Sequence, residues 1–136
     1  MTKQYALNKA YNQIRTQGQR SVTARVGYNT GGCKFRASMR AGGKRRCAIG
    51  ALIPDALYVP EMERCTSVWA LLHTYPAVCK AITGYVTIKE VPRGAEDFLS
   101  DLQDAHDNWM DTGSFKMASL RTRFEIVAKR FDLQLQ

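Results

Sequence analysis

Not one Asp or Glu occurs between Met1 and Pro54, although that stretch carries eleven Lys or Arg side chains. From Asp55 onward the chain holds nine basic and twelve acidic side chains, so the whole net charge of +8 comes from the N-terminal part. Other absences narrow the function classes. No apolar run approaches the roughly 20 residues of a membrane span. The opening residues show neither an apolar signal core nor a small-residue cleavage site, which gives the expectation of a cytoplasmic protein. There are two histidines, and the cysteines Cys33, Cys47, Cys65 and Cys79 stand far apart, with no C-x-x-C or H-x-x-x-H pair. That spacing offers nothing to nucleate a tetrahedral zinc site, so free thiols in a reducing compartment are the expectation, and no cofactor. Phosphate-binding loops, dinucleotide fingerprints and serine-nucleophile elbows are missing as well.

What is present reads as an α+β domain, mostly helical, with a small antiparallel sheet in its N-terminal half. Residues 1–136 are expected to form a single domain, a basic helix-plus-hairpin part over 1–50 and a helical part over 51–136. Thr2 caps a first helix whose Leu7, Ala10, Tyr11 and Ile14 recur on one face until Gly18 stops it. Period-2 alternation then predicts strands over Ser21–Gly27 and Cys33–Ser38, and a returning strand over Lys44–Ile49, joined by NTGG and RAGG turns. Beyond Gly50 the chain turns helical. Pro54 and Pro60 start short turns, Thr66 or Ser67 caps a helix that Pro76 interrupts, and Gly84–Glu90 is either a short strand or an exposed connection. Phe98, Leu99, Leu102, Ala105, Trp109 and Met110 trace one helical stripe, and a last helix from about Phe115 points Leu120, Phe124, Val127 and Phe131 inward.

Six cations, Lys34, Arg36, Arg40, Lys44, Arg45 and Arg46, crowd around the glycines of the predicted hairpin tip. Together with Arg25 they form the candidate binding surface for a partner bearing phosphates or carboxylates, each contact releasing counterions. Alternation places Arg25, Lys34 and Arg36 on solvent-facing sides. Tyr28 and Phe35 are nearby aromatics for base stacking, though Phe35 has the phase of a core residue. The opposing reading is internal neutralisation. Glu96, Asp97, Asp101, Asp104, Asp107 and Asp111 occur in a stretch without Lys or Arg, and that acidic helix is a ready counterpart for the hairpin. A third possibility is chemical: Cys47, between a strand and a short helix, with His106 and a neighbouring aspartate, has the residue types of a cysteine-dependent enzyme. Both also suit buried structural roles, which free cysteines commonly fill.

The stretch Arg46–Glu63, RCAIGALIPDALYVPEME, resembles a family of small proteins found in bacteriophages and bacterial genomes. Their shared core looks like Cys-Ala-(Ile or Val)-Gly, Leu-Ile-Pro-Asp, then Tyr, Pro and Met-Glu. Cys33–Arg36 (CKFR) resembles the family's short strand before a glycine turn, and Phe98–Asp107 (FLSDLQDAHD) resembles its Leu-Gln-x-Ala-His-Asp helix. The chain departs from the pattern in the extra basic residues Arg40, Lys44, Arg45 and Arg46 and in a longer Thr66–Val91 region. The resemblance carries no agreed activity. It implies a phage or mobile-element origin and a place in the bacterial host cytoplasm, where such proteins commonly bind and inhibit host factors, including defence systems. The expectation is therefore a non-enzymatic binding protein engaging a host protein or nucleoprotein through the basic hairpin. Direct binding of DNA or RNA by the same surface is the alternative, and a Cys47–His106 enzyme the next.

Overall fold

The computed structural model describes residues 1–21, 34–38 and 44–136. Their order is a helix α1 (Lys3–Gln17), two short strands β1 (Arg36–Ser38) and β2 (Lys44–Arg46), then helices α2 (Val68–Thr74), α3 (Pro76–Thr83), α4 (Arg93–Asp107) and α5 (Lys116–Arg130). Single 3-10 turns occupy Pro60–Arg64 and Ile88–Glu90. The architecture is the expected mostly helical α+β type. Among the described residues no helix is long and apolar enough to cross a membrane.

Local chemistry sets the boundaries. The Thr2 hydroxyl accepts the Tyr5 N–H at the start of α1, and Gly18 ends the helix in the left-handed region, its N–H donating to the Ile14 carbonyl, as an αL cap does. Ser67 caps α2 by accepting from the Ala70 N–H. Pro76 cannot continue α2 and instead opens α3, using the position where its missing N–H costs nothing.

The core lies where α1, α4 and α5 meet. Leu7, Tyr11 and Ile14 from α1 pack with Phe98, Leu99 and Leu102 from α4 and with Leu120, Phe124 and Val127 from α5, all buried. Tyr11 and Phe124 hold their rings 5.4 Å apart, and Phe98 meets Phe131 edge-on at 5.3 Å. The segment Cys47–Ile53 runs through this interior as a series of turns, with Cys47, Ala48, Ile49 and Leu52 wholly buried.

Two expectations are corrected and one open alternative is resolved. The returning strand stops at Arg46, because Cys47–Ile53 is consumed by the core and cannot offer an alternating surface. Met110 is exposed, since α4 ends at Asp107 and the helical stripe ends with it; Trp109 still packs inward, its indole N–H donating to the Lys116 carbonyl. Gly84–Glu90 is the exposed connection, with a 3-10 turn at its end and no strand. The predicted strand over Ser21–Gly27, both glycine turns, Cys33, Arg25, Tyr28 and Arg40 lie almost wholly or entirely outside the described residues.

Candidate functional site

Strands β1 and β2 pair antiparallel with Arg36 opposite Arg46, Ala37 opposite Arg45 and Ser38 opposite Lys44. A two-stranded ribbon exposes two rows of unpaired backbone groups. Here side chains satisfy them at its base. On the β2 edge, the Gln17 amide reaches from the end of α1, accepting the Arg46 N–H at 2.8 Å and donating to the Arg46 carbonyl at 2.8 Å. On the β1 edge, Glu63 accepts the Phe35 N–H on one carboxylate oxygen (2.8 Å) and the Arg36 N–H on the other (3.0 Å). The Tyr58 hydroxyl donates to the same carboxylate at 2.6 Å. Burial of the phenol, reinforced by this hydrogen bond and by the Glu63 charge, holds Tyr58 well above the usual phenol range.

Arg36 is the centre of this arrangement. Its guanidinium stacks over the Tyr58 ring at 4.4 Å, donates to the Ile53 carbonyl at 2.8 Å and pairs with Asp55 at 2.8 Å. Only 9% of its side chain is exposed, so the solvent-facing place expected for it is corrected. Strand alternation set the direction, but the 54–58 turn folds over that face and covers it. Arg46, the cross-strand neighbour, reaches the same Asp55 oxygen at 3.0 Å. The two guanidinium charges, Arg46 foremost, hold the Asp55 carboxyl below its ordinary value. Arg45 turns to the end of α1, where it donates to the Gln19 side-chain oxygen (3.1 Å) and the Arg20 carbonyl (3.2 Å). Lys34 is half-buried, and its backbone N–H donates to the Ser21 carbonyl. Lys44 contributes strand backbone opposite Ser38, at the end of the strand pair away from its base.

The turns over Cys47–Ile53 press directly on this strand pair. Gly50 lies so close to Phe35 that an added Cβ would stand 1.8 Å from the Phe35 carbonyl oxygen. Phe35 itself is buried, which removes it as a stacking platform. The α4 helix joins from the other side: the Gln103 side-chain oxygen accepts the Ile49 N–H at 3.4 Å, and His106 accepts the Ser21 N–H on Nε2 at 3.0 Å. A ring nitrogen that accepts from a backbone N–H carries no proton, so the His106 proton sits on Nδ1, facing Asp107 Oδ1 at 2.8 Å. Cys47 is fully buried, and its sulfur accepts the Gly50 N–H. Cys47 and His106 thus both hold backbone N–H groups in place.

The acidic helix has its own counterparts. Asp97 and Asp101 face Arg130 of α5, and Asp111 faces Arg20, whose guanidinium also donates to the Asp107 carbonyl. Asp104 lines an open cleft with Asp101, Arg123 and Ile126; partial burial, with the neighbouring Asp107 and Asp101 charges, raises its carboxyl above the ordinary value. Among the described residues the acids that meet the strand pair are Asp55 and Glu63. Sequence spacing did not single out either one, although Asp55 is the first acid in the chain.

Comparison with known proteins finds no matching family model, no matching curated protein and no matching solved structure.

Proposed function

We propose that the chain is a non-enzymatic binding protein of phage type that engages an anionic host factor, a protein or nucleoprotein, through the basic surface around β2, and thereby modulates or inhibits it. The supporting observation is charge left over after internal pairing. Arg36 and Arg46 share a single carboxylate oxygen, and among the described residues Arg45 is met by neutral oxygens alone. Lys34 has no ionic partner among the described residues. Positive charge that its own fold leaves unanswered attracts an external anion. Arg25, Arg40 and Lys44 add further basic residues to the same stretch of sequence, while Arg36 serves as a buried support. The host-directed role draws on the resemblance of Arg46–Glu63 to phage proteins.

Affinity capture from bacterial lysate, with and without nuclease, tests the proposal. The wild-type chain is expected to retain a specific partner, and a Lys34→Glu/Arg45→Glu protein that still folds is expected to lose it. Undiminished capture by that variant removes the basic surface from the account.

A further inference from the structure

Asp55 stands out within the arginine cluster, because its carboxylate has a substitutable role. We propose that Asp55 is an intramolecular stand-in for a phosphate of a nucleic-acid backbone, holding Arg36 and Arg46 in the free protein and ceding Arg46 when the phosphate arrives. The inference rests on the proposed basic binding surface and names the chemistry of its partner.

The two arginines are held unequally. Arg36 keeps the Ile53 carbonyl and the Tyr58 ring whatever Asp55 does, and its side chain is 9% exposed. Arg46 has no side-chain acceptor but Asp55 among the described residues, and its side chain is 24% exposed. Asp55 itself is 73% exposed, so an exchange of anions at this point opens no part of the core. Both guanidiniums converge on one oxygen, an arrangement that a phosphate oxygen reproduces, with further oxygens left for the planar donor fork of Arg46. Arg45, beside Arg46 in sequence, already spends its hydrogen bonds on neutral oxygens and keeps its charge for the incoming anion.

Surface composition favours phosphate over an acidic protein. Protein interfaces centre on buried apolar and aromatic anchors. Between Ala6 and Tyr58 none of the described large apolar side chains is exposed; Tyr5 and Val59, which flank that stretch, are exposed singly, and Trp69, Tyr85, Met110 and Phe115 belong to later segments. Backbone phosphates need cations and hydrogen-bond donors alone. With Phe35 buried and Tyr58 stacked against Arg36, the described face offers no platform for base stacking either. Binding here is sequence-indifferent and carried by the phosphates.

Anisotropy titration of a labelled single-stranded DNA oligonucleotide over a series of salt concentrations tests the inference, using wild type, Asp55→Asn and Asp132→Asn. Asp132 supplies the matched control: it follows α5, is exposed, and has a positive φ that asparagine tolerates. Asp55→Asn is expected to bind several-fold tighter than Asp132→Asn. Its dependence of log K on log salt is expected to match that of wild type, because Arg46 reaches the phosphate in both complexes. Adding Arg46→Gln to Asp55→Asn is expected to make the slope shallower by about 0.7, one phosphate contact on a single strand. Circular dichroism confirms that each variant is folded. Equal binding by the Asp55 and Asp132 variants overturns the inference, as does a slope that Arg46→Gln leaves unchanged. Preference for a polyglutamate chain over the oligonucleotide overturns it in favour of an acidic protein partner. Absence of oligonucleotide binding by both wild type and Asp55→Asn also overturns it, while partner capture from lysate judges the proposed function separately.

Discussion

Gly50→Ala is the most demanding single substitution this structure allows. The new methyl carbon would stand 1.8 Å from the Phe35 carbonyl oxygen, 2.6 Å from its carbon and 3.0 Å from its Cα. All three are backbone atoms, so no rotamer change relieves the overlap, and the strand itself must retreat until the oxygen clears the new carbon. That retreat pulls on the bond from the Cys47 N–H to the Phe35 carbonyl and on the Glu63 carboxylate that clamps the Phe35 and Arg36 N–H groups. Overpacking a tight core site costs about 1–3 kcal/mol, and a strained or broken internal hydrogen bond adds about 1 kcal/mol. The expected destabilisation is about 2–4 kcal/mol, against a total stability on the order of 5–15 kcal/mol. For a domain of this size that lowers the melting temperature by roughly 7–14 °C. Urea and thermal unfolding followed by circular dichroism measure it. Gly84→Ala is the comparison, because Gly84 has open space around it and a φ of 85°, so the substitution meets conformational strain alone, about 1–2 kcal/mol. A Gly50→Ala protein within about 1 kcal/mol of wild type would refute the close approach of the 47–53 turns to β1.

Two further outcomes bear on the same cluster. Glu63→Ala orphans two backbone N–H groups and the Tyr58 hydroxyl, and is expected to cost about 2–4 kcal/mol in denaturant unfolding; a neutral result would show that water replaces the carboxylate freely. Tyr58 titrates above the ordinary phenol value in the folded protein. The unfolded chain therefore loses its phenol proton first as pH rises past about 10, and the stability present below that pH declines above it. Tyr58→Phe should flatten the decline, and ultraviolet titration should show one tyrosine that ionises late or only on unfolding.

Helix positions were legible because they rest on local chemistry. The Thr2 and Ser67 caps, the Gly18 stop and the Pro76 break each depend on a few adjacent residues, and the inward faces of α1, α4 and α5 follow from helical periodicity. Met110 escaped that logic because a stripe continues in sequence after its helix has ended. The ribbon was legible as a pair of strands, but its edges were not. Gln17 and Glu63 lie 29 residues before Arg46 and 27 after Arg36, and neither a glutamine at a helix end nor a glutamate in a short turn advertises such a partner. Charge counting misjudged Arg36, since counting cannot tell a guanidinium stacked on a tyrosine from one in water. It also set the hairpin against the acidic helix. Among the described residues the strand pair is answered by Asp55 and Glu63, whereas α4 contributes acids to Arg130, and Asp111 beyond its end pairs with Arg20.

The central claim is that the surface around β2 retains positive charge for a partner after the fold has used what it needs. The most direct measurement compares partner capture from bacterial lysate by the wild-type chain and by the folded Lys34→Glu/Arg45→Glu variant, at matched protein concentration and low salt. Neither side chain supports the Asp55–Tyr58–Glu63 cluster. The account predicts a specific partner held by the wild type and released by rising salt, and little or no capture by the variant. Equal capture by both proteins, insensitive to salt, would contradict it.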